Sequence, residues 1–253
     1  MNIVILTGID CSPYLERIKS IDAKISIIVP LKISEPLLPN NTCENIRNHG
    51  VDLYEVAYEE HDILEVLGKV TPDVIISIGW RRILSPELIA QTKLFLNIHP
   101  AILPQYKGYH TEPYVIINGE SEHGITAHVM TEGLDEGDIV LQQTFPISKF
   151  STIDTLKNKV TTMAPEFFEQ LINKIINERL EFIKQDHSKT IVIAGKRKPT
   201  DSEIDPSKSI IDLFDVIRAS NPTRFPSYFY YEGKKVGISL FTIDGEKEDP
   251  DDL

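Results

Sequence analysis

The chain has 253 residues, 41% of them hydrophobic, with 38 acidic residues against 26 basic ones and a net charge of −12. It can bury a substantial core, as one domain or one with a small appendage, and its acidity argues against a phosphate-backbone partner held by bulk electrostatics while leaving room for a local basic pocket. Its two cysteines, Cys11 and Cys43, have no metal-binding spacing, which suits a reduced cytoplasmic protein and not a disulfide scaffold.

The opening run "MNIVILTGID" lacks a basic leader and reaches Asp10 too soon for a signal peptide, so it reads as a first strand. The apolar runs "KISIIVP", "VDLYEV", "DVIISIG" and "LFLNI" follow, with helix-like segments between them. This alternation predicts an α/β fold: a Rossmann-like, mostly parallel twisted sheet with helices on both faces. All of these runs are far shorter than the roughly 20 residues that cross a bilayer, so no membrane partner is expected. "SPELIA" offers a serine N-cap and a proline at the first helical position, which predicts a helix between the strands ending near Gly79 and Asn97. Residues 124–131 and 138–147 read as two more strands joined by the loop "EGLDEG". From about Ile153, apolar residues at three- and four-residue steps (Leu156, Val160, Met163, Phe167, Leu171, Ile175) mark a core-facing helix, which Pro165 should kink or divide. After residue 190 the chain turns polar and proline-punctuated, so a boundary is placed there: 1–190 as the main domain, 191–253 as a small C-terminal subdomain. That subdomain should hold a short amphipathic helix, "IIDLFDVIRA", and a hairpin around Glu232-Gly233 whose aromatic face needs a surface, either its own chain or a second subunit in a homodimer. "DGEKEDPDDL" reads as a frayed acidic tail.

The first strand runs into "TGIDCSP", without the G-x-G-x-x-G of a dinucleotide site, and Walker A, H-E-x-x-H and G-x-S-x-G are all missing. His99, His110, His123 and His128 lie near one another in sequence but fit no standard metal spacing, so no metal is expected. More informative is "LFLNIHPAILPQYKGYH". In a strand, Asn97 and His99 share one face while Ile98 points back into the packing. Pro100 holds His99 extended and places the pair at a strand end, where open α/β sheets bind ligands. If the "EGLDEG" loop lies beside them, Asp135 could orient the imidazole and favour its charged form. Amide and imidazolium would then donate to an oxygen that turns negative during acyl transfer. Spacing alone equally allows Asn97 as a turn cap, His99 as a satisfied histidine and Asp135 as a plain loop residue.

"SIGWRRILSPEL", "LNIHPAILPQYKGYHT", "EHGITAHVM" and "LDEGDIVLQQ" together resemble the successive core motifs of the folate-dependent formyltransferases, over roughly residues 70 to 180. That family contains the glycinamide ribonucleotide and methionyl-tRNA enzymes. The resemblance implies catalysis by Asn97, His99 and Asp135, and 10-formyltetrahydrofolate as co-substrate. Its pterin would lie against Arg82, Ile83, Leu84, Gly133 and Leu134, with His128 near the trio; without the family, Ile83 and Leu84 would read as core and the glycines as turn residues. The glycinamide ribonucleotide enzymes open with Gly-x-Gly-Ser-Asn, from which "LTGIDCSPYL" departs, and the methionyl-tRNA enzymes carry a longer C-terminal barrel and a basic face. The segment from "KRKPTDSEIDPSKS" onward is instead similar to formyltransferases of nucleotide-linked amino sugars. The implied acceptor is therefore the 3- or 4-amine of a deoxysugar on dTDP, UDP or GDP, for surface polysaccharide such as lipopolysaccharide O-antigen, and not a nucleic acid. Lys107, Tyr109, His110, Thr111 and Glu112 would line its pocket, or else be solvent-facing loop residues. Glycinamide ribonucleotide, methionyl-tRNA and a non-catalytic folate- or nucleotide-binding role are the alternatives.

Overall fold

Five consecutive side chains of the first strand, β1 (Asn2–Thr7), are buried, so both of its faces are covered. The computed structural model describes residues 1–253 except 33–37, 194, 196, 244, 246 and 248. Around β1 the chain lays down α1 (Ser12–Ile18), β2 (Lys24–Pro30), α2 (Thr42–Arg47), β3 (Asp52–Val56), α3 (Glu60–Val70), β4 (Val74–Ile78), α4 (Pro86–Ile89) and β5 (Leu94–His99). Then come β6 (Lys107–Gly108), α5 (Glu112–Ile117), β7 (Glu122–Val129), β8 (Ile139–Pro146), α6 (Ile153–Ile176), β9 (Val192–Ile193), α7 (Ile210–Arg218), β10 (Ser227–Tyr231) and β11 (Lys234–Ile238). The main sheet has the order β3-β2-β1-β4-β5-β7-β8. Its first five strands are mutually parallel, and β7 runs antiparallel to β5. The expected Rossmann-like sheet is thus present, with the reversal falling beside β5.

Two units divide the chain: Met1–His99 with Thr126–Gln142 and Met163–Gln185, and Pro100–Ile125 with Gln143–Thr162 and Asp186–Leu253. Residues 1–190 therefore contribute to both. In the first unit, Ile63, Val66, Leu67 and Val70 form the apolar stripe of α3 and pack on Val4, Leu6, Ile28, Ile75 and Phe95 of the sheet. Thr71 then enters the left-handed region (φ 48°) and ends that helix ahead of β4. Ser85 caps α4 as its sequence predicts, accepting from Leu88 N at 3.2 Å. α6 is not divided at Pro165, although the missing N–H costs it one helical bond.

The second unit has its own core of Ala101, Tyr106, Val115, Ile116, Ile153, Leu156 and Ala219. The buried Tyr106 hydroxyl donates to Glu120 at 2.6 Å and accepts from Asn118 at 3.0 Å. Strands β10 and β11 form the expected hairpin, turning through Glu232 and Gly233, both at positive φ. Phe229 and Ile238 of the hairpin pack with Leu213, Val216 and Ile217 of α7, so that face is covered within the chain itself. Of the polar stretch where a boundary is expected, Ala194 and Lys196 lie outside the described residues. So do Asp244, Glu246 and Glu248 of the acidic tail. The rest of the tail is not frayed: Thr152 Oγ1 donates to Asp251 O and Thr155 Oγ1 to Asp252 Oδ1, each at 2.8 Å, and Leu253 N donates to Phe150 O. Buried Asp252 sits against the first turn of α6, whose N–H groups Thr152 Oγ1 caps, and where the positive end of the helix dipole favours a carboxylate. Among the described residues, no helix is long and apolar enough to cross a membrane.

Candidate active site

The antiparallel register sets Asn97 opposite His128 and His99 opposite Thr126, so the end of β5 and the C-terminal half of β7 present their polar side chains together. Asn97 is half-buried, and His99 and His128 are buried. His128 Nδ1 lies 3.0 Å from its neighbour's carbonyl, Val129 O, and its Nε2 lies 3.2 Å from Asn97 Nδ2. A carbonyl can only accept, so Nδ1 carries a proton, and the Nε2 edge of the ring is shared by the Asn97 amide and Asp135. The second hydrogen on Asn97 Nδ2 is left for another acceptor.

The loop from β7 to β8 brings in Asp135, which holds a left-handed backbone (φ 49°). One carboxylate oxygen, Oδ2, lies 3.7 Å from His99 Nδ1, and the other, Oδ1, lies 3.4 Å from His128 Nε2. A single carboxylate therefore faces two imidazoles, with its side chain only 12% exposed. The loop closes tightly: a Cβ on Gly137 would stand 1.9 Å from Val129 O, so this position takes glycine alone. The buried side chain of Gln185 reaches the same loop, and its Nε2 donates to Asp135 O at 2.8 Å and to Gly137 O at 2.7 Å.

The residues expected at a pterin divide by exposure. Arg82 is exposed, with its guanidinium 5.1 Å from the Tyr58 ring centroid. Ile83 is 99% exposed and Leu134 52%, whereas Leu84 is buried in the sheet core and holds its loop down. A Cβ on Gly133 would meet Glu136 Oε2 at 2.1 Å. Ile83 and Leu134 are thus two large apolar side chains left in water on their loops.

The expected acceptor residues all lie in the second unit, and two of them line one cavity among the described residues. His110 and Glu112 line a small pocket, open to solvent, together with Lys157, Arg197, Asn221 and Phe225. Lys107 and Thr111 are buried and Tyr109 stacks on His110 with ring centroids 4.3 Å apart; these three are not part of its lining. Burial pulls the Arg197 guanidinium below its ordinary pKa, and the groups it donates to, Ala219 O, Ser202 Oγ and Ser220 Oγ, are neutral. Lys157 and Arg197 thus bring two cations to one pocket beside a single carboxylate.

A family profile described as Formyl transferase matches residues 31–172, which hold Asn97, His99 and Asp135. The chain belongs to the formyl transferase family. It is 30% identical over 207 residues to the methionyl-tRNA formyltransferase of Clostridium novyi, covering 80% of this chain and 66% of the relative. The chain spans between 59% and 66% of the length of the curated relatives it matches. In fold it is similar to a 4-N formyltransferase from Francisella tularensis, with a TM-score of 0.75, 25% identity, and coverage of 94% of this chain and 96% of that one. An N-formyltransferase from Helicobacter canadensis, solved with folinic acid and dTDP-3-aminofucose, matches with a TM-score of 0.73, 22% identity, and coverage of 92% and 85%.

The structure brings together Asn97, His99 and Asp135, which the sequence offered as a trio, and adds neighbours the sequence did not single out: Gly137 and Gln185 at the loop, and Lys157, Arg197, Asn221 and Phe225 in the second unit. Gly137 carried a signal only as one of the two glycines of the "EGLDEG" loop. Gln185 stands 50 residues from Asp135 and carried none.

Proposed function

We propose that this formyl transferase moves a formyl group from 10-formyltetrahydrofolate to the primary amine of a nucleotide-linked amino deoxysugar. The observation that carries the reading is one carboxylate, Asp135, facing both His99 and His128 beside the Asn97 amide. The folate supplies an activated formyl carbon when bound, and Arg82, Ile83, Gly133 and Leu134 are the residues that would hold its ring. The neutral amine attacks that carbon and a new C–N bond forms. Asn97 N–H and protonated His99 donate to the oxygen as it becomes negative. The bond to the folate nitrogen then breaks, that nitrogen gains a proton, and the amine loses one; Asp135 balances the imidazolium and passes protons through water.

Three observations support a sugar nucleotide over a tRNA. The chain is acidic overall. The match to the 4-N formyltransferase takes in nearly the whole of both chains. The pocket of the second unit pairs Lys157 and Arg197 with the Phe225 ring, which suits a nucleoside diphosphate. The sequence likeness to methionyl-tRNA formyltransferases favours the second reading, a tRNA acceptor. The test uses isotope-labelled formyl donor with dTDP-, UDP- and GDP-linked amino sugars, glycinamide ribonucleotide and methionyl-tRNA side by side. Label on a sugar amine is the expected result. Label only on methionyl-tRNA or glycinamide ribonucleotide overturns the acceptor, and no label on any of them overturns the catalysis.

A further inference from the structure

We infer that Gln185 is a positioning residue for the reaction, setting the place of Asp135 through the backbone of its loop; this rests on the catalytic trio proposed above. Ile183 and Ile139 exchange both backbone hydrogen bonds, at 2.8 and 2.9 Å, in an isolated antiparallel bridge. Counting two residues outward from an antiparallel pair puts Gln185 opposite Gly137. From there its side chain turns into the loop, and one NH₂ group takes two carbonyls, those of Asp135 and Gly137. Between those two carbonyls the chain makes the turn that aims Asp135.

The orientation of the amide is fixed by these contacts. Flipped, it would press Oε1 against two carbonyl oxygens at 2.7–2.8 Å. Oε1 itself is buried and has no partner among the described residues, so the whole hydrogen bonding of this side chain goes to the loop. The arrangement is costly to keep, since a buried acceptor without a partner is unfavourable. Asp135 needs such a hold because a non-glycine residue at φ 49° is disfavoured and relaxes unless its surroundings fix it. With the carboxylate 3.7 and 3.4 Å from two imidazoles, a shift of an ångström breaks one relation or the other. Gln185 touches neither folate nor acceptor in this scheme, and acts only through Asp135.

The test is a double-mutant cycle in formyl transfer with Gln185→Met and Asp135→Asn. Gln185→Met is expected to lower kcat by about 10–100-fold, the scale of a misplaced catalytic group. In the Asp135→Asn background the same change should cost nothing further, because the group it places is gone. A second readout does not depend on turnover: ring ¹⁵N resonances of His99 and His128 should move in Gln185→Met and stay in place when Gln185→Met is added to Asp135→Asn. Penalties that multiply, a Gln185→Met enzyme with native kcat, or unmoved histidine resonances would each overturn the assignment. Should the methionine variant fail to fold, Gln185→Leu, which is smaller, uncharged and without N–H donors, is read in its place. Failure of both to fold would show an architectural role alone and overturn the proposal. Absence of formyl transfer by the unmutated chain would sink the proposed function, while the histidine resonances would still decide the role of Gln185.

Discussion

In the proposed reaction Asn97 and His99 act on charge that develops only as the formyl carbon is attacked, so removing either should be felt in turnover far more than in folding. Asn97→Ala and His99→Ala are each expected to lower kcat by about 10²–10³-fold, with thermal melting changed little. Native turnover in either variant would remove it from the mechanism. The pair was legible in sequence because the two-residue period of a strand and a following proline suffice to put both on one face at a strand end. Asp135 was legible only through the resemblance, since nothing in "EGLDEG" says where the loop lies. A different residue carries a reading that composition only hinted at. Cys11 is fully buried, and burial pushes its thiol up to about 12. A raised acid of this kind contributes stability that is complete below its ordinary value of 9.0 and is lost as pH climbs toward 12. Iodoacetamide at pH 8 should therefore leave Cys11 unlabelled in the folded protein and label it in urea. Equal labelling in both states would contradict its burial.

The parallel strands and the stripe of α6 were readable because each repeats one simple period: continuous apolar runs where both faces are covered, and three- and four-residue steps on α6. The reversal at β7 was not, because strand direction is set by pairing partners distant in sequence. Nor was the docked tail, whose Asp251 and Asp252 look solvated until Thr152, Thr155 and Asn158 of the α6 start are brought to them. The β7–β8 loop offers a contrast between its two glycines. An alanine at 137 would drive its Cβ into the backbone oxygen of Val129, which cannot move without breaking the strand. An alanine at 133 meets only the end of the exposed Glu136 side chain, which can swing away. Gly137→Ala is expected to cost roughly 1–3 kcal/mol, with a matching fall in melting temperature, and Gly133→Ala close to nothing. Equal shifts in the two melting curves would show that the backbone clash is relieved in some other way.

Over the whole molecule, the net charge of −12 and the two pocket cations make opposite statements about anions, and the distances involved decide between them. At physiological salt, charges farther apart than about 8 Å are largely screened. A short diphosphate seated in the pocket would feel mainly Lys157 and Arg197. A tRNA spreads its phosphates over many such lengths and meets the acidic surface instead. The expectation is that dTDP or UDP binds this chain and that Lys157→Ala and Arg197→Ala each weaken that binding by about tenfold, the scale of one charge-assisted hydrogen bond. Arg197→Ala also removes three internal hydrogen bonds, so its melting curve should be recorded and Lys157→Ala taken as the cleaner probe. Calorimetric titration measures both. Transfer RNA should show no mobility shift at 50 or 200 mM salt. A polyanion held through six or more phosphates would instead bind at the lower salt and lose roughly 10³-fold or more in affinity by the higher one. A shift with that steep salt dependence, together with no heat from either nucleotide, would mean that the surface charge has been misjudged and that the acceptor is the nucleic acid.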